Sequence, residues 1–364
     1  SSGTLTLGHA TDSLVDSGSV SVAGGTLALG SNSDTVGALT LSSGSITGSG
    51  TLTGSSYNLT NSGSISSNLA GSAALTKSGA GSVTLSGTNT FTGTTTVSAG
   101  TLSIAADAGL GTAPGSATAG HLTLDGGSLD TTDTFTLAAN RGIALGSSGG
   151  TLTPADATSL TYGGIIAGTG ALTKAGDGNL ILSGANTYTG GTTVSAGTLT
   201  FNPGGSVAGD ITNNSTVVFN RSDDYAYYGV VSGSGGLTHD GYILRFDKAQ
   251  TYTGPTAVKS GGSLVLTTHA DQGLSAATTV DIEAGGNFDF SNRVLTIAGL
   301  TGAGRVYSFN ASAGHLTLNI ADGQTSNFSG VLGGVSYMNF ALTKSGTGTQ
   351  VLSGTNTYTG TTTI

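Results

Sequence analysis

The hydrophobic positions of this chain follow a short alternating pattern along its whole length. Val, Leu and Ile recur in short runs, and the positions between them usually hold Ser, Thr or Gly. A period of two places the aliphatic side chains of a strand on one face, and the clusters of Gly and Ser between runs mark turns. The pattern therefore predicts an all-β protein of short strands.

Internal repeats organise these strands. Residues 75–102 read LTKSGAGSVTLSGTNTFTGTTTVSAGTL and agree with residues 172–199 at 20 of 28 positions without a gap. A truncated copy at 342–364 matches the first at 17 of 23 positions, and a degenerate copy occupies 237–266. Repetition at this scale is typical of solenoids, in which each unit buries its apolar face against the next.

A parallel β-helix accounts for these repeats better than the competing β-sandwich or barrel, which does not need near-identical blocks. Stacking coils of roughly 20 residues at a spacing of about 4.8 Å places like residues above like. We therefore expect one continuous domain over 1–364, an elongated rod without linkers. The inward positions are predicted to be Val83, Leu85, Val97 and Leu102 in the first copy, Leu180, Leu182, Val194 and Leu199 in the second, and Leu352 in the third.

Two further local features are predicted. Thr95, in the polar row Thr94 to Thr96, is expected to face solvent. The piece Ala106 to Leu110, which returns in similar form at Ala270 to Leu274, is expected to be a loop or short turn that projects from the solenoid.

Composition narrows the classes of function. Only 8% of residues are charged, against about 25% in ordinary globular domains, and 19 acidic residues face 10 basic ones, for a net charge of −9. No basic cluster is present, which disfavours nucleic acid and anionic membranes as partners. The chain has no cysteine, which excludes disulfides and thiolate metal sites.

The repeat itself resembles a known family. The string LTKxGxGxxxLSGxNTYTGxTTVSAGTL resembles the passenger-associated transport repeat of autotransporters, the Gram-negative proteins of type V secretion. Residues 135–152 and 220–238 resemble that family's intervening coils, so the similarity covers most of 48–364. The resemblance implies a right-handed parallel β-helical passenger, exported through a C-terminal outer-membrane barrel that is absent from this stretch. Membrane contact is expected only through that barrel.

The resemblance also implies a location and a function. We expect an extracellular protein at the surface of a Gram-negative bacterium, attached to the outer membrane or released. The leading interpretation is a structural rod and adhesin that binds protein or glycan on host cells or matrix, or associates with itself along the rod. A toxin-type passenger that mediates cell binding and oligomerisation, or a stalk for an enzyme domain outside these residues, are the alternatives.

Two copies depart from the repeat pattern. His239 and Asp240 replace the Lys-Ser pair that follows Leu-Thr in the other copies. Gln350 occupies the inward position that corresponds to Val83. Either the strand register changes at Gln350, or an amide is accommodated in the core.

A search for chemistry identifies no catalytic, cofactor-binding or metal-binding residues, and we expect no enzyme activity and no cofactor. The histidines lack metal-ligand spacing and are interpreted as turn or surface residues; they are His9, His121, His239, His269 and His315. Asp125, Asp130 and Asp133 offer carboxylates for a hard cation, but turn-forming aspartates are the favoured interpretation.

The densest polar and aromatic cluster is RSDDYAYYG, from Arg221 onward. Its three tyrosines and two aspartates could bind a glycan or a protein, because tyrosine combines an apolar ring with a hydroxyl group. Since the segment also resembles an ordinary coil of the family, a structural role is the favoured interpretation, and the sequence alone does not identify the binding residues.

Overall fold

A computed structural model describes residues 3–267, 273–309, 314–334 and 340–364. His269 and residues 270–272 of the second Ala270 to Leu274 piece lie outside the described residues. The chain divides into two units, residues 1–191 with 205–207 and residues 192–204 with 208–364. In each unit, every described pair of adjacent strands is parallel and joins segments about one coil apart in sequence. The predicted all-β class and parallel β-helix are confirmed.

The first unit contains three long strands, Val20–Gly30, Asp34–Gly48 and Thr51–Leu59, continues with short ones, and contains a 3-10 turn at Asp107–Leu110. Its described strands are β1 (Thr4–Thr6), β2 (Val20–Gly30), β3 (Asp34–Gly48), β4 (Thr51–Leu59), β5 (Gly63–Ile65), β6 (Asn68–Ala70), β7 (Leu75–Lys77), β8 (Ser82–Leu85), β9 (Thr95–Val97), β10 (Thr101–Ile104), β11 (Leu122–Leu124), β12 (Ser128–Thr131), β13 (Phe135–Leu137), β14 (Ile143–Leu145), β15 (Gly150–Pro154), β16 (Ser159–Tyr162), β17 (Ile166–Gly168), β18 (Leu172–Lys174) and β19 (Asn179–Leu182).

The second unit contains two longer strands, β23 and β25, among short ones. Its described strands are β20 (Thr192–Val194), β21 (Thr198–Phe201), β22 (Ile211–Asn213), β23 (Thr216–Tyr227), β24 (Val231–Ser232), β25 (Gly236–Phe246), β26 (Thr256–Val258), β27 (Ser263–Leu266), β28 (Thr279–Ile282), β29 (Asn287–Asp289), β30 (Val294–Ile297), β31 (Gly299–Gly302), β32 (Arg305–Tyr307), β33 (Gly314–Asn319), β34 (Thr325–Phe328), β35 (Val331–Leu332), β36 (Phe340–Ser345), β37 (Thr349–Leu352) and β38 (Thr362–Thr363).

Stacked aliphatic columns form the core of the first unit. Leu102 on β10 lies between Val83 on β8 and Leu129 on β12, and Leu129 lies beside Leu152 on β15. All four side chains are completely buried. Burial of one such side chain contributes about 1.5–3 kcal/mol, so these columns are the main source of stability.

The second unit combines aliphatic and aromatic columns. Leu199, Val217 and Leu237 occupy neighbouring positions on β21, β23 and β25 and are buried. Two residues further along the same strands, and on the same face, Phe201 and Phe219 stack with their ring centroids 5.3 Å apart. Aromatic pairs at this separation add about 0.5–1.5 kcal/mol beyond their buried area.

Most of the predicted inward positions are confirmed. Val83, Leu85, Val97 and Leu102 are buried, and so are their counterparts Leu180, Leu182, Val194 and Leu199. Leu352 lies beside the buried Phe328 in the ladder between β34 and β37, but it is only partly buried.

The prediction that Thr95 faces solvent is wrong. Thr95 lies between Leu75 and Leu122 in the ladder and is almost completely buried. The alternation that directs Val97 inward directs Thr95 inward as well, because residues two apart share a face. Its hydroxyl has no hydrogen-bond partner among the described residues, so the site uses the side chain chiefly for its methyl group. Thr96 points outward.

The prediction of a loop or short turn at Ala106 to Leu110 is confirmed as a turn, but the turn does not project freely from the solenoid. Asp107–Leu110 forms a 3-10 turn, and Leu110 is buried. The completely buried Arg141 holds this turn through two bonds to the Asp107 carboxylate, at 2.8 and 3.1 Å, and one to the Leu110 carbonyl at 2.9 Å. The segment is therefore fastened to the solenoid by a cation more than 30 residues away.

Gln350 shows how an inward position accommodates an amide, although the side chain is only partly buried. It keeps the register of its strand, opposite Ser326 on β34. Its amide nitrogen donates to the carbonyls of Leu300, at 2.9 Å, and Ser326, at 3.1 Å, and its amide oxygen accepts the Leu300 N–H at 3.2 Å. Of the two predicted explanations, the accommodated amide is the one observed, because backbone groups satisfy both ends of the side chain.

Among the described residues there is no helix with the length and apolar character that a membrane span requires.

The side chain of Leu182 points inward and that of Thr96 points outward, so replacing each by alanine should change the free energy of unfolding by different amounts. Leu182→Ala should lower the free energy of unfolding by roughly 2–5 kcal/mol, because it leaves a cavity in a close-packed column. Thr96→Ala should change it by less than about 0.5 kcal/mol, as surface substitutions do. Chemical unfolding of both variants measures this difference. Equal midpoints would show that the orientation of these side chains is misassigned.

Candidate binding face

The two near-identical copies, 75–102 and 172–199, each place a lysine side chain in the core. Lys77 follows Leu75 by two positions, so it shares the inward face and is completely buried. Its ammonium group donates to the carbonyls of Ser78 at 2.9 Å, Gly79 at 2.8 Å and Ala99 at 3.1 Å. The left-handed backbone of Gly79, with φ of 72°, brings its carbonyl into reach. The lysine therefore fastens a turn of the solenoid and is not a surface charge.

The other copies repeat this contact. Lys174 is also completely buried and donates to the carbonyls of Ala175, at 2.8 Å, and Gly176, at 2.7 Å. Lys344 donates to the two carbonyls that follow it. Burial lowers the pKa of Lys174 from 10.5 to about 8, although the charge of Asp177 opposes the shift. Burial lowers the pKa of Lys77 as well.

His239 takes the place of this lysine in the degenerate copy. It occupies the core column between Phe219 and Val258 and is completely buried. Nε2 lies 3.5 Å from the carbonyl oxygen of Tyr242. Burial lowers the pKa of His239, which favours the neutral ring. The shorter side chain thus fills the lysine position without a fixed positive charge.

The remaining predicted site residues are dispersed. His121 is buried, His9 bonds to the Thr11 carbonyl at 2.6 Å, and His315 lies 2.7 Å from the Thr343 hydroxyl. Burial lowers the pKa of His121. The interpretation of these histidines as turn or surface residues is therefore wrong for His239, which lies in a core strand, whereas His121 is buried but closes a turn through its backbone N–H, which donates to the Thr118 carbonyl at 3.3 Å.

The aspartates Asp125 and Asp130 each have a structural partner. Asp125 accepts the backbone N–H of Ser148 at 2.8 Å, and Asp130 accepts the Ser103 hydroxyl at 2.7 Å. Asp130 lies within a strand, so the interpretation as a turn residue is wrong for it. Within the described ranges, no three His, Cys, Asp or Glu side chains are grouped so that they could hold a metal ion.

The cluster that begins at Arg221 is built around a bulge in β23. The register between β23 and β25 shifts between Arg221 and Asp224. Arg221 is nearly buried, pairs with both carboxylate oxygens of Asp223 at 2.8 and 2.6 Å, and covers the ring of Tyr225 with its guanidinium carbon 4.3 Å from the centroid. Tyr227 is buried and donates its hydroxyl to the Gly209 carbonyl at 2.9 Å.

The rest of the cluster reaches solvent. Asp224 makes a two-point ion pair with Arg245 of β25, with distances of 2.9 and 2.8 Å. The hydrogen bond to Asp224 raises the pKa of Arg245. Tyr228, directly after β23, is 65% exposed, and Tyr242 of β25 is 57% exposed. These residues lie on, or directly after, the paired strands β23 and β25. We call Asp223, Asp224, Tyr228, Tyr242 and Arg245 the tyrosine face.

The tyrosine face can offer two kinds of contact. Its exposed rings present apolar surface with a hydroxyl at the edge. Its charged groups are all paired, Asp224 with Arg245 and Asp223 with the nearly buried Arg221, so the face has no unpaired charge. It retains exposed hydrogen-bonding atoms on the half-exposed Asp223, Asp224 and Arg245. Such a surface suits a neutral polar ligand more than a polyanion, whose binding depends on unpaired cations.

Sequence reasoning identified part of this face. It identified the two aspartates and Tyr228, but it missed Tyr242 and Arg245, which are contributed by the next coil. The alignment of RSDDYAYYG with the degenerate copy one coil later, at residues 237–246, is the signal that could have found them. The sequence reasoning also counted Tyr225 and Tyr227 as ligand-binding candidates, whereas Tyr227 belongs to the core.

Comparison with known proteins agrees with the repeat pattern. Four segments match the family called passenger-associated-transport-repeat, at residues 75–104, 172–201, 244–266 and 342–364. The chain is also 36% identical over 220 residues to the adhesin BmaC autotransporter of Brucella suis biovar 1 (strain 1330). That alignment covers 60% of this chain and 6% of the relative, so the chain spans a small part of that protein's length. No solved structure matches.

The predicted resemblance to autotransporter passengers that carry passenger-associated transport repeats is therefore confirmed. The chain carries passenger-associated-transport repeats, and it is related to an autotransporter adhesin. The repeat matches coincide with the copies found from the sequence, except that the degenerate copy matches only from residue 244.

The depressed pKa of Lys174 predicts a pH-dependent stability. Between pH 8 and 10.5 the unfolded chain binds a proton at Lys174 that the folded chain has released. The free energy of unfolding should therefore rise with pH through this window, and below pH 8 this contribution should be constant. Lys174→Met should make this rise smaller than in the unmodified chain, in denaturant titrations across the window, and leave the part that Lys77 contributes. If both proteins have the same pH slope, the ammonium group does not experience the burial described.

Proposed function

We propose that this chain is part of the adhesive, surface-exposed passenger of an autotransporter. The observation that carries the proposal is its similarity to the adhesin BmaC autotransporter over 60% of the chain. The passenger-associated-transport repeats support the same assignment, because their four matches are spread over both units. On this proposal the chain acts outside the cell, at the bacterial surface or after release, and acts by binding and not by catalysis.

The binding partner is a protein or a glycan on host cells or matrix, or a second copy of the passenger. Two features of the structure support contact of this kind. The stacked coils direct every second side chain of their strands outward, so the outer surface offers rows of Ser, Thr and Asn hydroxyl and amide groups. The tyrosine face adds exposed aromatic rings, a residue type enriched in the parts of interfaces that carry most of the binding energy.

An attachment assay tests this proposal. Beads coated with the purified chain should attach to host cells or to extracellular matrix, or aggregate with one another, more than beads coated with an unrelated protein. The double variant Tyr228→Ala/Tyr242→Ala should reduce this attachment at least about fivefold, which corresponds to a loss of about 1 kcal/mol for the two contacts together. Phe309→Ala is the matched control, because Phe309 is 55% exposed in the same unit but lies outside the tyrosine face.

The two parts of the proposal can fail separately. Coated beads that neither attach nor aggregate more than the controls would contradict an adhesive function of this chain. Attachment that persists in the double variant, or that falls equally in Phe309→Ala, would retain the adhesive function but reject the tyrosine face as its site.

A further inference from the structure

Basic side chains are distributed unevenly between the two units. The first unit contains three of the ten Lys and Arg residues of the chain, and they are Lys77, Arg141 and Lys174. All three are completely buried. The outer surface of this unit therefore presents no lysine or arginine side chain over almost 200 residues.

Each of these cations is also bonded internally. Lys77 and Lys174 donate to carbonyls of the turns that follow them, and Lys77 also reaches Ala99 in the next coil. Arg141 pairs with Asp107 and donates to the carbonyls of Leu110 and Gly111. Withdrawing any one of them breaks all of its bonds to backbone carbonyls, and for Arg141 it leaves buried carbonyls without a donor, which is costly. Their side chains can reach solvent only if neighbouring coils separate.

The second unit differs in this respect. Lys248, in the turn after β25, and Arg305 of β32 are exposed, and the side chains of Arg245 and Lys259 are 37% and 40% exposed. The first basic residue after Lys174 in the sequence is Arg221, which is nearly buried. The accessible basic positions of the described chain thus begin at Arg245.

We propose that proteases that cleave after lysine or arginine cannot cut the folded first unit, and that they process the chain only at basic residues of the second unit. Such proteases insert the whole basic side chain into a pocket with a carboxylate at its base. The three candidate side chains of the first unit are withheld from that pocket by burial and by their bonds to backbone carbonyls. The inference is independent of the adhesive function, because it depends only on where these side chains lie.

The rate of cleavage at a buried basic residue depends on how often the solenoid opens. When opening and closing are fast, cleavage of a buried site follows the equilibrium population of the opened state. Opening the core of a unit requires much of its unfolding free energy, whereas exposed loops open almost freely. Cleavage after Lys77, Arg141 and Lys174 should therefore be at least about a hundredfold slower in the folded chain than after a lysine placed in an exposed loop.

Limited digestion with trypsin tests the proposal. The folded 364-residue chain should yield a long-lived fragment that begins at the N-terminus and extends at least to Arg221, while the denatured chain should be cut after Lys77, Arg141 and Lys174. The matched control is Ser116→Lys, which places a lysine in an exposed loop of the first unit. This variant should be cut rapidly after residue 116, with fragments identified by mass spectrometry.

Two results would overturn the proposal. Cleavage of the folded chain after Lys77, Arg141 or Lys174 at a rate comparable to that after Lys248 or Arg305 would show that burial does not protect these bonds. Resistance of Ser116→Lys would show that the backbone of the unit excludes the protease and that the placement of its basic residues is not the cause. A variant whose thermal unfolding differs from that of the parent chain would be replaced by Gly115→Lys in the same exposed loop.

Discussion

The requirement that each coil hydrogen-bond to its neighbours governs the rest of this structure. A strand of three or four residues cannot satisfy its own backbone, so it depends on parallel strands in the preceding and following coils, as β10 depends on β8 and β12. Parallel register then places like positions above one another and creates the buried columns. Polar side chains enter these columns where backbone groups receive them, as the carbonyls after Lys77 and the backbone of Leu300 beside Gln350 do.

The same requirement locates the surface that is free for function. Inward positions are committed to the core, so ligands can be recognised only by outward side chains, turns and irregularities of the ladder. The bulge between Arg221 and Asp224 is one such irregularity, and it lies next to the exposed Tyr242. Placing the basic residues of the first unit in the core has a parallel consequence, because it leaves an outer surface of acidic and neutral groups.

Sequence alone predicted the architecture, because repeated blocks and alternation reflect stacking directly. It failed where a polar side chain occupies an inward position. Thr95 is polar, but it lies two residues from Val97 and so shares the inward face of that strand. The same spacing, from Leu75 to Lys77, predicts the buried lysines. This spacing argument does not predict the contacts of Arg141 or the tyrosine face, since these join residues from different coils. The tyrosine face requires an alignment of neighbouring coils, and the coil that separates Arg141 from Asp107 is not a repeat copy.

The parallel register of neighbouring coils is the central claim, and paired cysteines test it most directly. Thr96, Thr123 and Ala144 occupy successive positions of one outward row on β9, β11 and β14. The chain has no cysteine of its own, so each double variant contains only the two introduced thiols. Residues one coil apart lie about 4.8 Å apart, within the range of about 4.4–6.8 Å that a disulfide spans. Mild oxidation should therefore cross-link Thr96→Cys/Thr123→Cys rapidly and leave Thr96→Cys/Ala144→Cys, two coils apart, reduced. Equal cross-linking of the two pairs, or preference for the second, would contradict the register on which this account depends.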